Sequence, residues 1–445
     1  MTRPPSPTPE ILTYRDVVRL QTRLDFRERM PTFAARTGGE RRHQVDPLNF
    51  RNVQGPMGRE VRVVDHVGRD QRMLMFGSNN YLGLATHPHV VETVRRAVAE
   101  HGAGVGGPPI LNGNGALHRR LQERLAALEG QEAALLYGSG YAANLGLMST
   151  LPTAQDLAVY DDDSHASFLD GLKLGRVLGK PFAHNDAQAL DRVLAEVRGQ
   201  HRDVFVGVEG VYSMSGDVAR LDKVADVADR HGALLVVDDA HGTGVTGPNG
   251  HGTVAMFDVA DRGAAVVGTF SKSFAVSGGF VAASRDVVEY LRYFSRPYVF
   301  SASPSPAVCA AVLAGLDVIE REPERHAALM DNAGYLAERL TALGFRADGL
   351  TPVFPLPVPA RTDIRAAAHD FHRRGVFVNQ IEAPAVPLSQ QRFRVSVTAD
   401  HTREDLGRLL EAVEAVWAAH VTPHGDGATA DLPDEPVLDA YRGGF

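Results

Sequence analysis

Residues 234–241 read Leu-Leu-Val-Val-Asp-Asp-Ala-His. A short unbroken apolar run that ends in a crowd of polar residues is the pattern of a strand buried on both faces of a parallel sheet. In open α/β sheets, the carboxyl ends of such strands are where ligands sit. Working outward, comparable runs stand at 133–137, 157–160, 204–208 and 265–270, separated by segments of helical period such as 186–197 and 221–230. This alternation predicts βαβ units and a mainly parallel sheet covered by helices on both sides.

Beyond a helix expected to begin at Ser305-Pro306 the pattern changes. A long helix over 326–343 precedes strand-like 353–356, 376–381 and 393–397, and Thr402 caps a last helix carrying Leu406, Leu410, Val413 and Trp417. The predicted organisation is an N-terminal arm (1–55), a large α/β domain (56–315), a smaller α+β domain (316–420) and an acidic flexible tail (421–445). Within the arm, apolar residues at helical spacing over 11–30 suggest an amphipathic helix.

Composition narrows the function classes. Of 445 residues, 44% are hydrophobic and 22% charged, with a net charge of −8, so no basic field favours nucleic acid or an anionic membrane. The single cysteine, Cys309, leaves no partner for an intramolecular disulfide and no multi-cysteine metal site. No apolar stretch approaches the ~18 residues of a membrane span, and the first ten residues lack the apolar core of a signal peptide, so a cytoplasmic protein is expected. All but four of the 46 basic residues are arginine. Imine chemistry, which needs an amine that can lose its proton, is therefore confined to Lys173, Lys180, Lys223 and Lys272.

Four strand ends carry candidate chemistry. Gly138-Ser139-Gly140-Tyr141-Ala142-Ala143-Asn144 combines close-approach glycines with a helix start, the makings of a phosphate loop. With acidic Asp161–Asp163 about 20 residues on, it also fits a dinucleotide fingerprint, which keeps a nicotinamide-dependent dehydrogenase in view. Asp238, three residues before His241, would suit a protonated ring nitrogen, as pyridoxal phosphate requires; an Asp-Asp pair capping a turn is the simpler alternative. Lys272 alone among the lysines stands at a strand end among small and hydroxyl residues, where desolvation would lower its pKa and make it a nucleophile. His165, in Asp163-Ser164-His165-Ala166-Ser167, could stack on a planar cofactor or merely begin a helix.

Taken in order, the stretches 78–84 (SNNYLGL), 111–118 (LNGNGALH), 138–146 (GSGYAANLG), 163–171 (DSHASFLDG), 209–217 (EGVYSMSGD), 237–250 (VDDAHGTGVTGPNG), 268–274 (GTFSKSF) and 296–306 (RPYVFSASPSP) resemble the α-oxoamine synthases. These are fold-type I pyridoxal-phosphate enzymes, and the motifs are most similar to those of soluble bacterial serine palmitoyltransferases. The resemblance implies a large domain with a seven-stranded, mainly parallel sheet, a smaller C-terminal α+β domain and a homodimer. It also implies decarboxylative condensation of an amino acid with an acyl thioester on coenzyme A or an acyl carrier protein. Lys272 would form the imine with the cofactor, Asp238 would pair with the pyridine nitrogen, His241 would bond the ring oxygen and His165 would stack on the ring. Ser139, Gly140, Tyr141 and Thr269 would surround the phosphate, with Ser301 reaching it from a second subunit. Ser213 would lie near the ring oxygen or the substrate carboxylate, and Arg394 would anchor that carboxylate with Asn79 or Asn80. An aminotransferase would share Lys272 and Asp238. Two positions depart from the family pattern: Glu382, where several members carry arginine, and Pro108-Pro109, where a polar or basic residue is usual. Glu382 is expected to point away from the carboxylate, to pair with an arginine such as Arg392, or to read the substrate.

Overall fold

The computed structural model describes residues 23–38, 51–64, 69–262, 265–382, 386 and 388–421. Most of the expected arm and tail (1–22, 39–50 and 422–445) lies outside the described residues. Within the arm's described part a helix spans Phe26–Gly38.

Strands β1 (Asn52–Gln54), β2 (Glu60–Val64) and β3 (Asp70–Met75) come first, followed by β4 (Ala133–Tyr137), β5 (Leu157–Asp161), β6 (Leu178–Phe182), β7 (Val204–Glu209), β8 (Leu234–Asp238), β9 (Ala265–Thr269) and β10 (Gly279–Ala283). The C-terminal region adds β11 (Val353–Pro357), β12 (Val376–Phe377), β13 (Asn379–Ile381) and β14 (Arg392–Ser396). A seven-stranded sheet runs in the order β4-β10-β9-β8-β7-β5-β6. Only β10 is antiparallel to its neighbours, pairing so with both β4 and β9, whereas β9, β8, β7, β5 and β6 are parallel throughout. All five residues of β5, β9 and β10 are buried, as strands covered on both faces require.

Two strands of this sheet escape the sequence pattern. β6, Leu-Gly-Lys-Pro-Phe, is the sheet's edge, pairing on one side only, so it needs no apolar run and can include Pro181. β10 follows β9 too closely for a helix between them, and an antiparallel return is the connection such a short loop allows.

The expected strand over 376–381 divides. β12 joins β3 in a four-stranded sheet, and β13 joins β14 in the three-stranded sheet β11-β14-β13. Residues 60–75, read from sequence as part of the large domain, thus pair with the C-terminal region through Val376 and Phe377. One continuous apolar cluster includes Phe270, Phe274 and Phe280 beside the large sheet and Val353, Phe393 and Val395 of the small one. This shared core fixes β14 against the large sheet and so brings Arg394 to the mouth of the site. Helix Pro306–Arg321, capped by the Ser305 hydroxyl, runs through that core with Cys309 wholly buried. Thr402 and Asp405 form a reciprocal capping box at the start of helix Arg403–His420. Among the described residues no helix is long and apolar enough to cross a membrane.

Candidate active site

The carboxyl ends of β4, β5, β7, β8 and β9 surround a cavity of about 300 Å³. Ser139, Gly140, Tyr141, His165, Ser213, Asp238, His241, Thr269 and Lys272 all line it.

One end is built for an anion. Ser139 caps helix Gly140–Met148, its Oγ accepting from the Ala142 amide at 3.0 Å. Amides of a helix's first turn have no intrahelical acceptor, and they carry the positive end of the helix dipole. Opposite stand the hydroxyls of Thr269 and Ser271, 2.9 Å apart, with Ser277 also on the wall. The strand β10 begins so close below that a Cβ on Gly279 would lie 2.5 Å from the Gly140 nitrogen, so this wall requires glycine.

The other end holds ionisable groups at strand termini. Of the Asp-Asp pair, Asp239 turns inward, where its carboxylate accepts the Thr253 amide at 2.9 Å and hydroxyl at 2.6 Å. Asp238 faces the cavity; Oδ1 accepts from the Ala240 amide at 3.1 Å and Oδ2 from Asn144 Nδ2 at 2.6 Å. Asn144 also donates to Ser167 Oγ at 3.0 Å, and that hydroxyl lies 2.7 Å from His165 Nδ1. The Ser167 amide donates to the same Nδ1 at 3.3 Å, so this nitrogen is an acceptor and the imidazole proton belongs on Nε2. Burial lowers the pKa of His165, keeping the ring neutral.

Lys272 forms no hydrogen bond or ion pair among the described residues. Burial lowers its pKa to about 8, an effect partly opposed by the charges of Asp238 and Glu209. Glu209, at the end of β7, is itself held well above the ordinary carboxylate range by burial and then by the charge of Asp238. His241 is buried with Nδ1 2.7 Å from Tyr81 Oη; burial, followed by the nearby Lys272 and Arg394 charges, keeps its pKa well below the usual value.

Beyond His241 the network leads to Arg394. Asn79 Oδ1 accepts from Arg394 Nη2 at 3.3 Å and Ser396 Oγ at 3.4 Å, two donors that fix which way the amide points, and Tyr81 Oη lies 3.3 Å from the same oxygen. Arg394 Nη1 donates to the Ser213 carbonyl at 3.2 Å, while its Nε is buried with no partner among the described residues. Asn79 and Arg394 stand beside the 300 Å³ cavity rather than lining it. Asn80 is engaged by the backbone, donating to Met57 and accepting from Ala85, both at 3.2 Å. Ser301 is exposed and away from the cavity of its own chain. Glu382 pairs with Arg365, both carboxylate oxygens 3.0 Å from Nε, and not with Arg392. Pro109 begins a single wide helical turn, Pro109–Gly113, on which Leu111 is exposed.

Tyr81, Asn144, Ser167 and Glu209 were not singled out from sequence. Asn144 left a signal: it is a buried amide in an otherwise apolar helical turn. The dinucleotide reading fails on strand order. The loop after β4 and the acidic residues after β5 belong to strands separated by β10, β9, β8 and β7, whereas that fingerprint needs neighbouring strands. No group of three or more His, Cys, Asp or Glu among the described residues could hold a metal.

An amide-and-hydroxyl rim at one end, a buried carboxylate and two neutral histidines at the other, and a desolvated lysine on the wall together fit pyridoxal phosphate. Residues 71–413 match the family model for aminotransferase class I and II. The chain is 39% identical over 344 residues to a serine palmitoyltransferase of Bacteriovorax stolpii, covering 77% of this chain and 82% of the relative. It is 37% identical over 367 residues to 8-amino-7-oxononanoate synthase 1 of Bacillus velezensis, covering 82% and 92%. A solved structure described as SPT with PLP internal aldimine superposes with a TM-score of 0.76 at 32% identity, covering 80% of this chain and 90% of that one. A longer relative from Mycobacterium tuberculosis is 42% identical over 354 residues, 79% of this chain; the match spans about half of that protein, 46% of its length.

Proposed function

The chain belongs to the aminotransferase class I and II family, in its α-oxoamine synthase branch, and from that premise we propose that it condenses an amino acid with an acyl thioester. Cα gives up its proton and bonds to the acyl carbon, the C–S bond breaks to release thiol, the carboxylate leaves as carbon dioxide, and Cα is reprotonated to give an α-aminoketone. The observation that carries this reading is Lys272: an amine with a pKa of about 8 and no ion-pair partner among the described residues, sharing a cavity wall with Asp238.

Pyridoxal phosphate, when bound, supplies an aldehyde for the amino group and an electron sink for charge developing at Cα. Ser139, Gly140, Tyr141 and Thr269 would hold its phosphate, Lys272 its aldehyde carbon, His241 its ring oxygen and His165 its ring face. Asp238 would keep a proton on the ring nitrogen, and Asn144, donating to the carboxylate at 2.6 Å, holds Asp238 in place. Tyr81 fills His241 Nδ1, which leaves Nε2 to donate into the cavity. With its pKa lowered by burial, Lys272 offers more free amine near neutral pH than an ordinary lysine, so its Nζ can both take and return the Cα proton. Arg394, steered by Asn79 and Ser213, binds the amino-acid carboxylate.

The same reading makes the protein a homodimer in the cytoplasm, Ser301 of each subunit completing the phosphate site of the other. Support comes from Phe300, 76% exposed beside Ser301, and from Tyr293 and Phe294 near it in the chain, 63% and 59% exposed. It also keeps an N-terminal arm, a large cofactor domain, a small C-terminal domain and a tail. The test is to screen amino acids for a change in the visible spectrum of the cofactor-loaded protein, then to offer the responders acyl-CoA and acyl carrier protein thioesters. Free thiol and carbon dioxide formed together support the reading; no response to any amino acid contradicts it.

A further inference from the structure

Residues 212–217 form a turn in contact with both sheets. It closes on itself through Gly216 N to Tyr212 O at 2.8 Å and Tyr212 N to Asp217 O at 3.0 Å. Toward the three-stranded sheet and the residue leading into it, its hydrogen bonds among the described residues are made by carbonyls. Ser213 O accepts from Arg394 and Met214 O from Arg392, both at 3.2 Å, and Gly216 O accepts from the Thr351 hydroxyl at 2.7 Å. Gly216, at φ +74°, lies so close that a Cβ there would collide with the Val353 carbonyl.

Toward the seven-stranded sheet the turn presents a carboxylate. Asp217 Oδ2 accepts from Asn185 Nδ2 at 2.8 Å and lies 3.3 Å from His184 Nε2. The other ring nitrogen, Nδ1, is 2.9 Å from Asp161 Oδ1 at the end of β5 and 3.7 Å from the Asp163 carboxylate. Asp161 also accepts the Tyr212 hydroxyl at 2.7 Å, and the imidazole lies edge-on to Tyr212 with centroids 4.4 Å apart. With a carboxylate oxygen within ion-pairing distance of each nitrogen, the surroundings favour the imidazolium. Burial works against that charge, but Asp161 and Asp217 outweigh it and hold the pKa at about 10.

Neither Arg392 nor Arg394 has an ion pair among the described residues. Arg394 is aimed instead by two neutral acceptors, the Ser213 carbonyl and the Asn79 amide, so its direction depends on where the turn sits. We propose that His184 is a positioning residue for the amino-acid carboxylate: a permanent charge that fastens the turn to Asp161 and thereby aims Arg394. This rests on the reading of Arg394 as the carboxylate anchor.

The experiment uses cofactor-loaded protein and the amino acid found in the screen above, and reads its dissociation constant from the spectral change. His184→Gln should weaken amino-acid binding by about tenfold, since misplacement of an orienting group by ~1 Å can cost up to a hundredfold, while cofactor affinity changes less than about twofold. In an Arg394→Ala background the same substitution should add nothing, because its effect passes through Arg394. Should His184→Gln not fold, Thr351→Val, which releases the turn from its other side, must show the same pair of results. Unchanged amino-acid affinity in His184→Gln, or equal weakening in both backgrounds, overturns the proposal while leaving the anchor intact. If Arg394→Ala alone has no effect, the anchor reading falls, and this role with it.

Discussion

The two ends of the site are held in different ways. At the ring end, Asp238, His165 and Lys272 stand at or just beyond strand termini of one sheet, and hydrogen bonds through Asn144 and Ser167 link the first two. At the carboxylate end, Arg394 meets acceptors 181 and 315 residues away in sequence, brought together only by the packing of the C-terminal sheet on the large one. The first end is set by the sheet itself. The second is an assembly of separate pieces, and Glu382 follows β13 on that side.

The largest effects belong to the ring end. Lys272→Ala should abolish turnover and remove any borohydride-reducible adduct between cofactor and protein; peptide mapping that finds an adduct elsewhere would show that another lysine serves. Asp238→Asn should keep the fold but slow Cα proton exchange by a hundredfold or more, roughly the range assigned to a positioned proton-transfer group. Solvent-deuterium exchange monitored by NMR checks it, and undiminished exchange would erase the distinction drawn here between the two ends.

Arg394→Ala acts at the other end. It should raise the amino-acid concentration at half-saturation about ten- to a hundredfold, the worth of a charge-assisted hydrogen bond of ~1.5–3 kcal/mol, with cofactor binding unchanged. The pH response should separate the ends more gently. A lowered lysine pKa means the amine is protonated below about 8 and free above it, so cofactor capture by the apoprotein should accelerate through pH 8 and level off above. Because the Asp238 charge raises that pKa, Asp238→Asn should shift the midpoint to lower pH, whereas Arg394→Ala, removing a cation that lowers it, should shift it upward. Glu382→Gln is the smallest change: its pair with Arg365 is about one-fifth exposed on each side, so a loss of ~1 kcal/mol or less in thermal stability is expected. Amino-acid affinity should stay within about twofold; a larger loss would mean that Glu382 reads the substrate.

The same division explains what could be read from the chain. Apolar runs ending in polar residues are local patterns, so β4, β5, β7, β8 and β9 were legible, as were the positions of Asp238, His241, Lys272 and His165 beyond strands. The edge strand β6 and the antiparallel β10 lack that pattern, and strand order is not encoded in runs at all. Asn144 meets Asp238 only because helix Gly140–Met148 packs against β9 and β10; Tyr81 meets His241 across 160 residues. Such partners carry no local signature. The division of 376–381 between two sheets was hidden for the same reason: its apolar content says that it is a strand and not which neighbours it joins.

The account's central claim is tested most directly by incubating cofactor-loaded protein with a carboxyl-labelled amino acid that perturbs its spectrum and an acyl thioester, then following carbon dioxide and thiol together. Condensation predicts equal amounts of labelled carbon dioxide and free thiol, only when both substrates are present, and an α-aminoketone retaining the amino nitrogen. Accumulation of the corresponding keto acid, with label retained and the thioester intact, would contradict it and assign the cavity to amino-group transfer.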